Sequence, residues 1–141
     1  MTQDPPASPP TSKLMRFYLL LAVFLIVPIA LNYGLAPAET LPKSLDVTVE
    51  GTDLTHIFRG LMCLYLGAAL FWGIAAFTPS WQRTAVIWVV FFAFSIAVGR
   101  VISLIVDGRP SALLLIYLGL EIAAGLLGLF ILSVADRKSK R

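Results

Sequence analysis

Residues 82–106 read QRTAVIWVVFFAFSIAVGRVISLIV, and this stretch decides the fold. No charged residue stands between Arg83 and Arg100. At ~1.5 Å of rise per residue, a helix of this length crosses the ~30 Å hydrocarbon core of a bilayer. Lipid offers no partner for an unpaired peptide group. A span of this kind is therefore a helix, which satisfies its own backbone, and not an open sheet.

Working outward, three further stretches have the same character: 17–36 (FYLLLAVFLIVPIALNYGLA), 55–77 (THIFRGLMCLYLGAALFWGIAAF) and 111–134 (SALLLIYLGLEIAAGLLGLFILSV). Pro79 and Pro110 punctuate the boundaries. Pro28 is expected to kink the first span, and Asn32-Tyr33-Gly34 to loosen its end. The expectation is an all-α integral membrane bundle of four transmembrane helices, occupying about residues 14–136.

Composition agrees. Of 141 residues, 58% are hydrophobic and 13% charged. Soluble domains are nearer half and a quarter, so a soluble fold of this size could not bury this much Leu, Ile, Val and Phe. Mean hydropathy is +0.86. The single cysteine, Cys63, excludes an internal disulfide and reads as a small core hydrophobe.

The ends are polar. Residues 1–13 open with MTQDPPASPPTS, whose prolines favour extended, solvated backbone, so a disordered tail is expected there. Residues 137–141 form a short basic tail. In a four-span arrangement Lys13, Arg16, Arg83, Arg137, Lys138, Lys140 and Arg141 fall on one face, against Lys43 and Arg109 in the loops of the other. The positive-inside rule then puts both termini in the cytoplasm of a multi-pass protein of the cell's inner (plasma) membrane. A minority alternative is a signal peptide: Lys13 and Arg16, an apolar core, then Ala36-Pro37-Ala38, with cleavage after Ala38. A weak internal similarity, Leu64-Tyr65-Leu66-Gly67 against Ile116-Tyr117-Leu118-Gly119, is compatible with a parallel repeat.

The candidate site residues are the charges inside the spans. A charged side chain at the bilayer centre costs ~2.5–3.5 kcal/mol on insertion scales, so such groups face the bundle interior and find partners. Arg59 lies in the second span, Arg100 in the third and Glu121 in the fourth. Counted at ~1.5 Å per residue, Arg100 and Glu121 reach similar depth, with Arg59 within reach of the same site. Asp107, seven residues after Arg100, offers a second acceptor on the same helical face. One reading is a structural ion pair that fixes which helices touch. Another starts from the excess of arginine over glutamate, which a lipid head group, a quinone carbonyl or a small acid could meet. A third is a proton relay through Glu121.

His56 has no second His or Cys at ligand spacing, so no metal is expected, and it reads as interfacial. Trp72 and Trp81, near the opposite boundary, read as an aromatic belt. The aromatics of the second and third spans read as lipid contact and packing, or more sharply as a groove for a quinone, pigment or partner helix. Small residues at four-residue spacing, Ala93/Ala97, Ser95/Gly99 and Ala124/Gly128, allow close helix approach. No phosphate loop, nucleophile elbow or two-histidine motif is present. No basic stripe suggests nucleic acid.

His56-Ile57-Phe58-Arg59-Gly60-Leu61-Met62, running on to Leu64-Tyr65-Leu66-Gly67, resembles one signature of a family of small bacterial membrane proteins known as domain of unknown function 4345. Gly99-Arg100-Val101-Ile102-Ser103-Leu104, then Asp107-Gly108-Arg109-Pro110 and Leu120-Glu121, resembles its other signature. The resemblance spans about residues 17–134. It implies a four-helix membrane fold, places Arg59, Arg100 and Glu121 on the family pattern, and implies no activity.

With no catalytic constellation and no aqueous domain, the sequence is read as non-catalytic. The first expectation is an accessory, assembly or stabilising subunit that docks to a larger membrane complex, or to its own copies, through its helices. The alternative is a small transporter or a lipid- or quinone-binding protein that uses the Arg–Glu cluster. No cofactor is expected beyond lipid or quinone contact.

Overall fold

The computed structural model describes residues 10–139, and all regular structure among them is helical. Helices α1 (Pro10–Gly34), α3 (Thr52–Phe77), α4 (Pro79–Val106) and α5 (Ala112–Ser139) are each long and apolar enough to cross a membrane. A short helix α2 (Pro37–Ser44) lies between the first and second crossings. Four crossings return the chain to the face it started from, so both ends of the bundle share one membrane face.

The spans run longer than the apolar stretches alone suggest. Helix α1 starts at Pro10, inside the segment expected to be a disordered tail. A proline suits a first helical turn, where its missing N–H would be unpaired anyway. The rest of that tail, residues 1–9, lies outside the described residues. At the other end α5 runs on to Ser139, into the stretch taken as a basic tail. The sequence places Lys43 in a loop between the first two spans. Pro37 instead starts α2, whose Thr40 hydroxyl donates to the Asn32 carbonyl at 2.7 Å. The Asn32 amide in turn donates to the Ser44 hydroxyl at 2.8 Å. Leu41 is fully buried, and with Leu45 and Val49 it closes over Ala30, Tyr33 and Tyr65. The face of the bundle opposite the termini is therefore plugged by its own chain.

The connections are short. Thr78, extended at φ −115 and ψ 96, separates α3 from α4, and Pro79 starts the next helix. Gly108, at φ +95, makes the turn between α4 and α5 in backbone that only glycine adopts cheaply.

Helix α1 packs chiefly on α3 and α5 chiefly on α4, and the two pairs meet along α3–α4 and α1–α4. The core near the termini joins Tyr18 and Leu19 of α1, Trp72 and Ala75 of α3, Val86 of α4 and Ile131 of α5. Alanine lets the helices approach: Ala75, Ala76 and Ala85 are fully buried, and Ala93 and Ala97 nearly so. Of the other small pairs, Ser95 and Gly99 face outward, whereas Gly128 is buried against Val90 and Tyr18.

Apart from tyrosine and tryptophan, Gln82 is the one buried polar side chain among the described residues. It accepts from the Ser12 hydroxyl at 2.8 Å and donates to the Ala76 carbonyl at 2.9 Å, tying α1, α3 and α4 together. At the same face Arg83 pairs with Asp136 at 3.1 Å, and the Arg16 guanidinium lies 4.3 Å from the centre of the Phe77 ring. The outer surface is hydrocarbon: Phe24, Phe91 and Ile105 are 72%, 70% and 77% exposed. Such a surface suits lipid, not water.

Candidate functional site: an arginine–glutamate pair on an intramembrane cleft

Arg100 lies six residues before the end of α4, and Glu121 nine residues into α5. At ~1.5 Å per residue these positions sit about 9 and 14 Å along their helices from the face opposite the termini. Because α4 and α5 are antiparallel neighbours joined by a tight turn, the two side chains meet. Arg100 Nε lies 2.9 Å from each carboxylate oxygen of Glu121. Both side chains are largely withdrawn from the surface, at 18% and 16% exposure.

The contact runs through one nitrogen. A guanidinium has five N–H donors, so the four on its terminal nitrogens stay outside the hydrogen bonds of this pair. The Tyr117 ring centre is 5.7 Å from the guanidinium carbon, and Tyr33 lies beside the same group. Tyr65 completes the aromatic surround, edge-on to Tyr33 at 5.9 Å and to Phe92 at 5.2 Å.

The pair lines a cavity of about 80 Å³ that runs between the helices toward the termini. Its walls are Ile26 and Ile29 of α1, Tyr65 and Trp72 of α3, Phe92 and Ile96 of α4, and Tyr117 and Ala124 of α5, among others. Apart from Arg100, Glu121 and the tyrosine hydroxyls, the lining is hydrocarbon and aromatic. Leu25 and Leu120 stand on its rim and are themselves 38% and 43% exposed, so the cleft opens sideways between α1 and α5. Arg100 also borders a second cavity of about 80 Å³, with Ser103, Leu104, Pro110 and Leu114.

The structure brings together Arg100 and Glu121, and leaves the other sequence candidates elsewhere. Arg59 is exposed on the outer side of α3 and lines neither cavity at the pair. Asp107 is exposed at the end of α4, where it accepts from the Ser103 hydroxyl at 2.6 Å instead of facing Arg100. His56 is exposed on the first turns of α3. Trp81, 49% exposed at the start of α4, suits a boundary position. Trp72 does not: it is 1% exposed, packs edge-on to Phe92 at 5.3 Å and lines the cleft. Cys63, expected in the core, is exposed.

No group of three or more His, Cys, Asp or Glu side chains that could hold a metal occurs among the described residues. Sequence reasoning missed Tyr33, Tyr65 and Tyr117 as neighbours of Arg100. The one signal was the repeated Tyr-Leu-Gly of α3 and α5, whose two tyrosines stand on the same cleft.

Fold and site together define a small four-span helical membrane protein with a charge pair held between its last two helices. The chain belongs to the family described as Domain of unknown function (DUF4345), whose model matches residues 14–132. No curated protein and no solved structure matches it.

Proposed function

We propose that the cleft binds an uncharged amphiphile, a quinone or a carbonyl-headed lipid, without transforming it. The observation that carries this reading is the Arg100 guanidinium, engaged by Glu121 through Nε alone at the head of an apolar, laterally open cavity. Ligand sites of this kind are mostly apolar with a few convergent polar groups. The pair is electrically balanced, so a carbonyl oxygen can take the terminal N–H donors without adding uncompensated charge. A carboxylate would compete with Glu121 and leave one negative charge in excess in a medium of low dielectric. The apolar tail would leave between Leu25 and Leu120 into the bilayer.

The test is tryptophan fluorescence in mild detergent. Trp72 lines the cleft, so a short-tailed benzoquinone should quench emission saturably. The double change Arg100→Leu with Glu121→Leu leaves no charge unpartnered, so the bundle should fold and saturation should be abolished. A double variant that folds and still saturates at the same concentration would sink the reading.

A docking role in a larger membrane complex or homo-oligomer is the second reading. Gly119 and Ala123, four residues apart on α5, are both exposed, and nothing lies within 4 Å of a Cβ built at Gly119. Small residues at this spacing on a lipid face suit a partner helix. Both readings place the protein in the plasma membrane with cytoplasmic termini, on the basic bias of the terminal face.

A further inference from the structure

Arg100 stands between two cavities. One is the cleft. The other lies toward the α4–α5 turn, and the proposed function makes no use of it.

Helix counting places this second cavity. Ser103 and Leu104 of its wall belong to the last turn of α4, Pro110 to the connection, and Leu114 to the first turn of α5. Arg100 and Leu118 each lie six residues from their helix ends, about 9 Å below that level. The cavity therefore occupies the outer part of the α4–α5 interface, from the turn down to the guanidinium.

Its polar groups suit water. Arg100 engages Glu121 through Nε, and its terminal N–H groups stay outside the hydrogen bonds of that pair. A charged donor in hydrocarbon is costly without an acceptor. At the other end of the cavity the Ser103 hydroxyl donates to Asp107 at 2.6 Å, and its oxygen keeps lone pairs that can accept. Asp107 is itself exposed, so this contact marks the mouth on the aqueous side. The volume is about 80 Å³, whereas a polar void of ~15 Å³ already holds a water, so several fit.

The opposite direction is closed to water. Apart from the pair and the tyrosine hydroxyls, the cleft is hydrocarbon and aromatic, and it opens sideways toward lipid. Closer to the termini, Tyr18, Leu19, Trp72, Val86 and Ile131 pack into a buried core.

We propose that the second cavity is a water-filled half-channel, through which the Arg100–Glu121 pair meets the aqueous phase on the face opposite the termini, and on that face alone. The pair then forms the boundary between water and the apolar cleft. This goes beyond ligand binding in the cleft and needs no ligand there.

Cysteine accessibility in sealed membrane vesicles of each orientation tests it. Silver ion, close to water in size and unable to cross lipid, is added to one side. Thiols left free are then counted with a maleimide after denaturation. Cys63→Ser removes the native thiol, and single cysteines are added in that background. Leu114→Cys and Leu118→Cys, on the wall of the half-channel, should be blocked from the face opposite the termini and stay free when silver is on the other side. Arg109→Cys, exposed in the turn, is the positive control for that face. Leu120→Cys, on the lipid-facing rim of the cleft, should stay free from both sides. Thermal unfolding checks each variant, and Leu114→Cys and Leu118→Cys stand in for one another if either fails to fold. Wall cysteines that stay free while Arg109→Cys is blocked would overturn the proposal. So would wall cysteines blocked equally from both faces, or Leu120→Cys blocked as readily as Leu118→Cys. None of these outcomes depends on quinone binding, so the half-channel and the ligand site stand or fail separately.

Discussion

Arg100 and Glu121 are joined through a single nitrogen, Nε lying 2.9 Å from both carboxylate oxygens. The arrangement holds α4 to α5 and leaves the terminal nitrogens of the guanidinium outside this pair. An Arg–carboxylate contact made for strength alone is commonly two parallel bonds through two nitrogens. Here Tyr33 and Tyr117 flank the guanidinium and the cleft lies along it.

The pair predicts a definite mutational pattern. Arg100→Leu and Glu121→Gln each leave a charge without its partner in the membrane interior. In soluble proteins such a loss costs about 3–5 kcal/mol, whereas replacing both partners with apolar groups is often nearly neutral. Membrane proteins blunt these values, so about 1–2 kcal/mol per single change is expected. Thermal unfolding in one detergent should show the double variant to be milder than the sum of the singles. Strict additivity would mean that the two groups do not interact.

Close helix approach predicts a second effect, away from the pair. A Cβ at Gly128 would press on Val90 Cγ2, and on the Tyr18 hydroxyl at 2.7 Å. Val90 is β-branched and cannot swing aside. The Tyr18 hydroxyl donates to the Ala124 carbonyl at 2.8 Å and is not free to move either. Gly128→Ala should therefore destabilise by about 1–3 kcal/mol, the usual range for overpacking. Gly119→Ala, which meets nothing within 4 Å, is the matched control and should be neutral in the isolated protein. Equal stabilities for the two variants would refute the packing described for α1, α4 and α5.

Topology gives a third prediction. Basic residues on the terminal face outnumber those in the opposite loops, so both termini should be cytoplasmic. A reporter active only outside the cytoplasm, fused after Arg141, should be silent, and the same reporter inserted at Gly108 should be active. The reverse pattern would invert the protein. Cleavage after Ala38 would remove Tyr18, Leu19, Ala30 and Tyr33 from the two buried clusters, so an intact N-terminus is expected in the mature bundle.

What the sequence disclosed and what it hid divide along one line, depth against azimuth. Counting residues from a span boundary gives depth, and depth together with the length of an arginine side chain brought Arg100 within reach of Glu121. It says nothing of which way a side chain points. Arg59 precedes the buried Tyr65 by six residues, about 120° around a helix of 3.6 residues per turn, and so faces outward. Trp72 follows Tyr65 by seven residues, returns to the same face and is buried despite lying close to the boundary. In a lipid-soluble helix both faces are apolar, so the pattern that fixes azimuth in a soluble helix is missing. Helix α2 escaped notice for another reason. Its PAETLPKS is polar and proline-bearing, and the packing of Leu41 and the hydrogen bonds of Thr40 and Ser44 with Asn32 are long-range contacts that no local pattern announces.

Gln82 gives the last prediction. The carbonyl of Ala76 belongs to the final turn of α3, where no i+4 amide continues the helix, and the Gln82 side-chain amide supplies the missing donor at 2.9 Å. The Gln82 carbonyl oxygen is occupied in turn by the Ser12 hydroxyl. Gln82→Leu would leave the Ala76 carbonyl and the Ser12 hydroxyl without these partners, at a cost of about 1–3 kcal/mol. Ser12→Ala removes only one donor and should cost less. Since the second bond cannot exist without Gln82, combining the two changes should add little to Gln82→Leu alone. The expected signature in detergent unfolding is a large effect, a small one, and a double variant near the larger. If the double variant instead loses the full sum, Ser12 and Gln82 act independently and the clip joining α1 to α3 and α4 does not exist.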